Sequence, residues 1–153
     1  EARERKAGWE TALRDTEGHR DTTCWVDGNW TPASGRRAIQ ILLDRHPSTD
    51  AVFVASDRMA LGVLTFACRE GVRVPDELAV VGFDDIPESA YFWPSLTTIR
   101  QDQEAFGREA VRMLHRRIEA DLQPDLKVEH ESITMQPELV VRESSAGSDD
   151  NLA

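Results

Sequence analysis

Residues 51–62 read Ala51-Val-Phe-Val-Ala-Ser-Asp-Arg-Met-Ala-Leu-Gly62, and residues 78–85 read Leu78-Ala-Val-Val-Gly-Phe-Asp-Asp85. Each stretch begins with a short apolar run, which predicts a strand buried on both faces and therefore a parallel sheet. Each run ends in carboxylates, Asp57 after the first run and Asp84 and Asp85 after the second. Because ligands bind at the carboxyl ends of parallel strands, we expect the functional site at this edge.

Composition narrows the class of protein. The chain has 153 residues, of which 40% are hydrophobic, enough for one domain with a core. A net charge of −10 argues against a nucleic-acid surface, which needs clustered Lys and Arg. No apolar run approaches the ~18 residues of a membrane helix, so we expect no membrane contact. Cys24 and Cys68 lie in apolar surroundings without CxxC spacing, which favours buried free thiols and a cytoplasmic location.

Alternating strand and helix patterns predict an α/β fold with helices flanking a parallel sheet. The predicted helices cover residues 1–14, 32–45, 57–70 and 102–121, the last capped by Asp102, and the predicted strands cover 23–26, 51–55, 78–83, 96–100, 131–135 and 139–142. The helix at 57–70 is apolar nearly all round, which predicts burial on several sides or a subunit interface. In the helix at 102–121, an apolar stripe that begins at Phe106 is expected to face inward. The first helix has no initiator Met or convincing cap, so we interpret the chain as a fragment.

Several motifs, in this order and spacing, resemble the effector-binding core of the LacI/GalR family of bacterial transcription repressors. They are Arg3-Glu-Arg-Lys-Ala-Gly-Trp9, Gly28-Asn-Trp-Thr-Pro-Ala-Ser-Gly35, Ser56-Asp-Arg-Met-Ala-Leu-Gly62, Gly71-Val-Arg-Val-Pro75, Val80-Val-Gly-Phe-Asp-Asp-Ile-Pro87, Pro94-Ser-Leu-Thr-Thr-Ile-Arg-Gln101 and Pro137-Glu-Leu-Val-Val-Arg142. The resemblance spans nearly the whole chain.

The resemblance implies a two-lobed, periplasmic-binding-protein-like type I fold. It assigns residues 1–95 to the second lobe, 96–122 to a segment of the first lobe and 123–143 to strands that return to the second. By the same resemblance most of the first lobe lies outside this chain, so the stripe that begins at Phe106 is expected to lack its partners. The small, acidic residues 144–153 are expected to form a disordered tail. It also implies that operator DNA is bound only through a helix-turn-helix headpiece outside this chain, and that residues 59–68 and 91–93 form a homodimer contact.

Asp84 is the strongest candidate for ligand contact. A sugar presents neighbouring hydroxyls and an apolar face, so its recognition calls for carboxylates, guanidinium groups and an aromatic plate. At the end of a strand, the Asp84 carboxylate can accept two hydroxyl protons; its alternative role is a structural acid that holds the next turn. Asp85 is predicted to be that structural partner. Asp57 is a further candidate at this edge, although capping of its own helix is the favoured role.

The resemblance adds four candidate ligand residues. Arg5 stands where the family places an arginine that reaches into the cleft, with a solvated helix arginine as the alternative. Trp30 stands where sugar-responsive members stack an aromatic on the ring, or it anchors its loop. Ser56 replaces the Asn common in sugar-binding members, which changes the reach of the side chain. Gln103 lies near the lobe crossing and is a candidate for the cleft lining or a surface residue.

Enzyme motifs are missing from the sequence. It contains no GxSxG, GxGxxG or GxxxxGK[ST] pattern, and its four histidines lack metal-ligand spacing. We therefore expect no catalytic residue, metal or cofactor. The favoured hypothesis is a sugar-sensing, dimerising domain of a LacI/GalR-like repressor that responds to a mono- or disaccharide. The alternatives are the sugar-binding protein of an ABC transporter, which shares the fold, and a small α/β enzyme.

Overall fold

The computed structural model describes residues 2–16, 22–122 and 132–146. The chain divides into two compact units, Glu1–Arg100 with Leu139–Ala153 and Gln101–Glu138. The lobe boundaries inferred from the resemblance stay a prediction.

The sheet consists of β1 (Ala51–Phe53), β2 (Ala79–Asp84), β3 (Thr97–Arg100) and β4 (Glu138–Val140), in the order β1-β2-β3-β4. β2 runs parallel to both β1 and β3, with Val81 opposite Phe53 and Thr97. The two apolar runs of the sequence are therefore neighbours, and their acidic ends lie at the same edge. The predicted α/β fold with a parallel sheet is confirmed.

Helices α1 (Ala2–Asp15), α2 (Pro32–Arg45) and α3 (Asp57–Glu70) belong to the unit that contains β1 to β3. α2 begins where the Thr31 side chain accepts from the Ser34 N–H, and α3 begins where the Ser56 side chain accepts from the Met59 N–H. The two helices pack with backbone contact, since a Cβ on Gly62 would lie 1.9 Å from the carbonyl oxygen of Pro32. This close packing fixes the start of α3 beside the sheet.

The core lies under α2 and α3. Its fully or nearly fully buried members are Ile39, Val54, Met59, Ala60, Val63, Leu64, Leu78, Val80 and Leu96. The apolar character of α3 is thus explained by the core on one side, while Leu61 on another side is 39% exposed. No helix in the described ranges is long and apolar enough to span a membrane.

Several predictions about burial and strands are wrong. Ala51 is exposed and Phe53 is 36% exposed, so β1 is not buried on both faces. Residues 24–26 and 132–135 have strand-like sequences but lie in irregular chain, and residue 23 lies in a turn; residue 131 lies outside the described residues. Both cysteines are free, as predicted, but neither is buried: Cys24 is half-buried and Cys68 is exposed.

The chain after β4 is ordered further than predicted. A short helix, α5 (Glu143–Ala146), contains the fully buried Ser144. The Ser144 hydroxyl donates to the carbonyl oxygen of Val80 at 2.6 Å and accepts from the Thr97 N–H at 2.8 Å. Disorder from residue 144 is therefore wrong for 144–146, because this small hydroxyl joins two strands; residues 147–153 lie outside the described residues.

Helix α4 (Gln103–Asp121) forms most of the described part of the second unit. As predicted, Asp102 caps it, and its Oδ1 accepts from the Ala105 N–H at 2.8 Å. The apolar stripe of this helix is open among the described residues, since Phe106 is 64% exposed and Ile118 is 52% exposed. A helical pattern identifies an apolar face but does not supply the surface that covers it.

Candidate functional site

The candidate site lies where β1 and β2 end. Asp84 and Asp85 have φ angles of 115° and 50°, and Trp30 has a φ angle of 66°. Positive φ costs a non-glycine residue about 1–3 kcal/mol and persists only where the surrounding structure imposes it. The turn after β2 is therefore held in place by its neighbours.

Asp57 is one of those neighbours. It is fully buried, its Oδ2 accepts from the Ile86 N–H at 3.0 Å, and its Oδ1 accepts from the Thr98 hydroxyl at 2.6 Å. Burial raises the pKa of Asp57, and the hydrogen bonds from Thr98 and Ile86 only partly oppose it. The favoured role as a helix cap is wrong, because Ser56 occupies the cap position and the carboxylate of Asp57 turns toward β2 and β3 instead.

Asp85 binds two arginines. Its Oδ2 accepts from Arg100 Nε at 2.6 Å, and its Oδ1 accepts from Arg142 Nη2 at 2.8 Å and from the Ser89 hydroxyl at 3.3 Å. Burial works to raise the pKa of Asp85, but the hydrogen bonds and charges of Arg100 and Arg142 outweigh it and lower the pKa. The prediction that Asp85 is the structural acid of the pair is confirmed by these contacts.

The structure brings Arg5, Asp84 and Trp30 together. Arg5 reaches from α1 to the sheet, where its Nη1 donates to the carbonyl oxygen of Ala55 at 2.5 Å and its Nη2 lies 3.3 Å from Asp84 Oδ1. The Arg5 guanidinium carbon lies 5.7 Å from the centroid of the Trp30 ring. The side chain of Arg5 is only 9% exposed, whereas that of Asp84 is 27% exposed and Trp30 is 46% exposed. An acceptor, a donor and an aromatic ring therefore lie side by side, with the acceptor and the ring open to solvent.

The sequence did not indicate the role of Phe83. The Arg5 guanidinium carbon lies 3.8 Å from the centroid of its ring, within the range of a cation–π contact. The sequence signal that could have identified this role is the position of Phe83 directly before the two acids, because it places an aromatic ring at the same strand end.

The loop that carries Trp30 is fixed by its own polar groups. The Asn29 N–H donates to the Ser34 hydroxyl at 3.0 Å, and the Thr31 hydroxyl donates to Asn29 Oδ1 at 2.6 Å. At Gly28 a Cβ would lie 2.2 Å from Met59 Cε, so the loop passes against α3. These contacts hold Trp30 beside Arg5.

The two remaining candidates are Ser56 and Gln103. Ser56 is 4% exposed and its hydroxyl accepts from the Met59 N–H at 3.3 Å, which occupies it as a helix cap. Gln103 is exposed at the start of α4, in the second unit. Ligand contact by Ser56, Asp57 and Gln103 stays a prediction. Among the described residues, no three His, Cys, Asp or Glu side chains form a group that could hold a metal ion.

Comparison with known proteins decides the family. Residues 1–145 match the periplasmic binding protein-like domain. The chain belongs to this family. The domain is 35% identical over 142 residues to the HTH-type transcriptional repressor PurR of Klebsiella pneumoniae subsp. pneumoniae, which is 93% of the chain and 40% of PurR. It is 38% identical over 141 residues to the HTH-type transcriptional regulator CelR of Thermobifida fusca, which is 92% of the chain and 40% of CelR.

Solved structures agree with the sequence relatives. A complex of the transcriptional regulator CelR with cellobiose superposes with a TM-score of 0.81 at 38% identity, covering 90% of the domain and 41% of that chain. A transcriptional regulator of the LacI family from Sanguibacter keddieii gives a TM-score of 0.82 at 35% identity, covering 94% of the domain and 53% of that chain. The resemblance to LacI/GalR regulators is confirmed, and the domain spans about 40% of the length of the PurR and CelR relatives.

Proposed function

We propose that this domain senses a small sugar on behalf of a LacI/GalR-like transcription repressor. The observation that carries the proposal is the meeting of Arg5, Asp84 and Trp30 at the carboxyl ends of β1 and β2. The relatives named above are transcription regulators, and one of them is solved with cellobiose, which favours a regulator over a transport protein or an enzyme.

The three side chains supply the chemistry that a sugar requires. Asp84 accepts from one or two hydroxyls, and each hydrogen bond to a charged group contributes about 1.5–3 kcal/mol. Arg5 is held by Ala55 and Phe83, so its guanidinium is pre-oriented and loses little side-chain entropy on binding. The Trp30 ring offers an apolar face to the C–H groups of a mono- or disaccharide.

Effector binding changes the affinity of the repressor for DNA by shifting the population of its conformations. A sugar changes the repressor only to the extent that it binds one arrangement of the protein better than another. The net charge of −10 argues against DNA contact by this domain, so a helix-turn-helix headpiece binds the operator in this proposal. The proposal also places the whole protein in the cytoplasm and assigns it no catalytic role.

Homodimerisation is part of the same proposal. Tyr91 and Trp93 are 88% and 86% exposed, and Leu61 on α3 adds a further apolar side chain at the surface. Leu64, which is 4% exposed, belongs to the core and not to this surface. Exposed aromatic side chains of this kind are typical of interfaces.

The decisive experiment is a calorimetric titration of the full-length protein with cellobiose and a panel of mono- and disaccharides. Asp84→Asn replaces one acceptor oxygen by a donor and removes the charge, so we expect it to abolish sugar binding and the change in DNA affinity that follows. Asp44→Asn, an exposed acid at the end of α2, is the matched control and should bind normally. Unchanged affinity in a correctly folded Asp84→Asn variant would move the site away from the strand ends.

A further inference from the structure

Arg100 is attached to the candidate ligand turn in two ways. In the ladder between β2 and β3 its register partner is Asp84, the acid that accepts sugar hydroxyls in the proposed function. Its side chain binds the next residue of the turn, with Arg100 Nε donating to Asp85 Oδ2 at 2.6 Å. A displacement of the turn therefore acts on Arg100 through the backbone ladder and through an ion pair.

Asp85 binds a second arginine, and the surroundings of the two arginines differ. Arg142 Nη2 donates to Asp85 Oδ1 at 2.8 Å, while its Nη1 donates to the carbonyl oxygen of Leu96 at 2.8 Å and to the Ser89 hydroxyl at 3.1 Å. The side chain of Arg142 is 17% exposed, whereas that of Arg100 is 46% exposed. Burial and several partners make Arg142 a fixed anchor of Asp85, and the more exposed Arg100 is better able to follow a displacement of the carboxylate.

The turn itself is held in a backbone conformation that non-glycine residues rarely adopt. The φ angle is 115° at Asp84 and 50° at Asp85. Such a backbone persists only where its contacts impose it, and it occurs at sites that switch between conformations. A sugar hydroxyl on Asp84 adds a contact to this turn, so we expect the position of the Asp85 carboxylate to depend on whether sugar is bound.

Arg100 is also the last residue before the chain enters the second compact unit at Gln101. The next residue, Asp102, caps α4: its Oδ1 accepts from the Ala105 N–H at 2.8 Å, and its carbonyl oxygen accepts from the Phe106 N–H at 2.9 Å. A single residue therefore separates the arginine at the ligand turn from the cap of α4.

We propose that Arg100 is a positioning residue that transmits the occupancy of Asp84 to the start of α4. Arg142 holds the turn in place for binding, and the ion pair between Arg100 and Asp85 makes the start of α4 respond to bound sugar. This inference rests on the proposed function, because it names the contact through which the sugar site acts on the chain beyond it. The coupling requires that sugar stabilises the arrangement of the turn that the ion pair also favours.

The test measures sugar affinity and amide hydrogen exchange in the full-length protein, with cellobiose and the same panel of mono- and disaccharides. In the parent we expect saturating sugar to slow exchange about fivefold or more at the Ile86 amide, which donates to Asp57 beside the ligand turn, and at the Ala105 and Phe106 amides of α4. In Arg100→Gln, sugar affinity should stay within about threefold of the parent and exchange at Ile86 should still slow, because Arg142 keeps its contacts. The effect of sugar at Ala105 and Phe106 should disappear.

Two further variants separate coupling from a merely structural role. Arg100→Lys keeps the charge and a donor for Asp85, so it is expected to restore the response of the α4 amides. Arg73→Gln removes an exposed arginine whose Nη2 lies 3.2 Å from Glu77 Oε1, and it should behave as the parent does.

Each remaining outcome decides against the proposal. An equal response of α4 in the parent and in Arg100→Gln would overturn it, as would a parent that binds sugar without any response of α4. Misfolding of Arg100→Gln, or a fall in its sugar affinity of more than about threefold, would make Arg100 a structural or binding residue instead. No recovery in Arg100→Lys would also overturn it. A parent that binds none of the sugars would contradict the proposed function, and this inference with it.

Discussion

Replacement of Asp57 by asparagine tests how the turn after β2 is held. The carboxylate of Asp57 accepts from the Ile86 N–H and the Thr98 hydroxyl in a fully buried position. Asparagine has nearly the same shape but only one acceptor oxygen, so its NH₂ group must face one of these donors.

The expected cost follows from these contacts. A hydrogen bond to a charged group contributes about 1.5–3 kcal/mol, and a buried donor left without an acceptor costs about 1–3 kcal/mol. The loss of a buried charge offsets part of this, because burial already raises the pKa of Asp57. We expect Asp57→Asn to destabilise the protein by about 2 kcal/mol, which lowers Tm by about 4–8 °C in a chain of this size.

The pH dependence of this difference has a definite sign. The pKa of Asp57 is higher in the folded state than its ordinary value of 3.8, so the folded state binds more protons above that pH. The parent protein therefore loses stability relative to Asp57→Asn as the pH rises from 3.8 through the folded pKa. The free energy of unfolding of the parent exceeds that of Asp57→Asn most near pH 3.8, and the difference becomes constant above the folded pKa.

Urea unfolding of both proteins at several pH values measures the difference, with Asp44→Asn as an exposed control expected to stay within about 0.5 kcal/mol of the parent. Sugar affinity is measured in parallel, and we expect it to fall in Asp57→Asn because the Asp84 turn loosens. Equal stability of Asp57→Asn and the parent at every pH would refute the assigned role of the buried carboxylate.

Three further predictions concern other residues. Trp30→Ala should weaken sugar binding by about 0.5–1.5 kcal/mol beyond the effect of lost area, with little loss of stability; unchanged affinity would exclude stacking on this ring. Asp85→Asn should cost about 2 kcal/mol at neutral pH. Since the pKa of Asp85 is lowered, its contribution is present above the ordinary value of 3.8 and disappears as the pH falls through the folded pKa; acid denaturation should therefore be less steep in Asp85→Asn. Trp93→Glu should convert a dimer to a folded monomer in sedimentation, and a persisting dimer would place the interface elsewhere.

Local patterns predicted a large part of the fold. The apolar runs at 51 and 78 lie in adjacent parallel strands, and Asp102 caps α4 as expected. Such predictions succeed because strand periodicity and helix capping depend on residues within one or two turns of each other. The same local reasoning placed Asp84 at a strand end beside the expected ligand site.

Contacts between distant segments decided the rest. Asp57 and Ser56 are adjacent in sequence, and either could cap α3; the positions of Thr98 and Ile86 place the carboxylate of Asp57 inside the protein. A small polar residue near the end of the chain gave no sign that Ser144 would bridge Val80 and Thr97. In the same way, the sequence predicted an apolar strand at 51–55 with both faces buried, but the tertiary structure limits β1 to Ala51–Phe53 and leaves Phe53 36% exposed. A side chain's chemistry is encoded locally, whereas its partners depend on which elements the fold brings together.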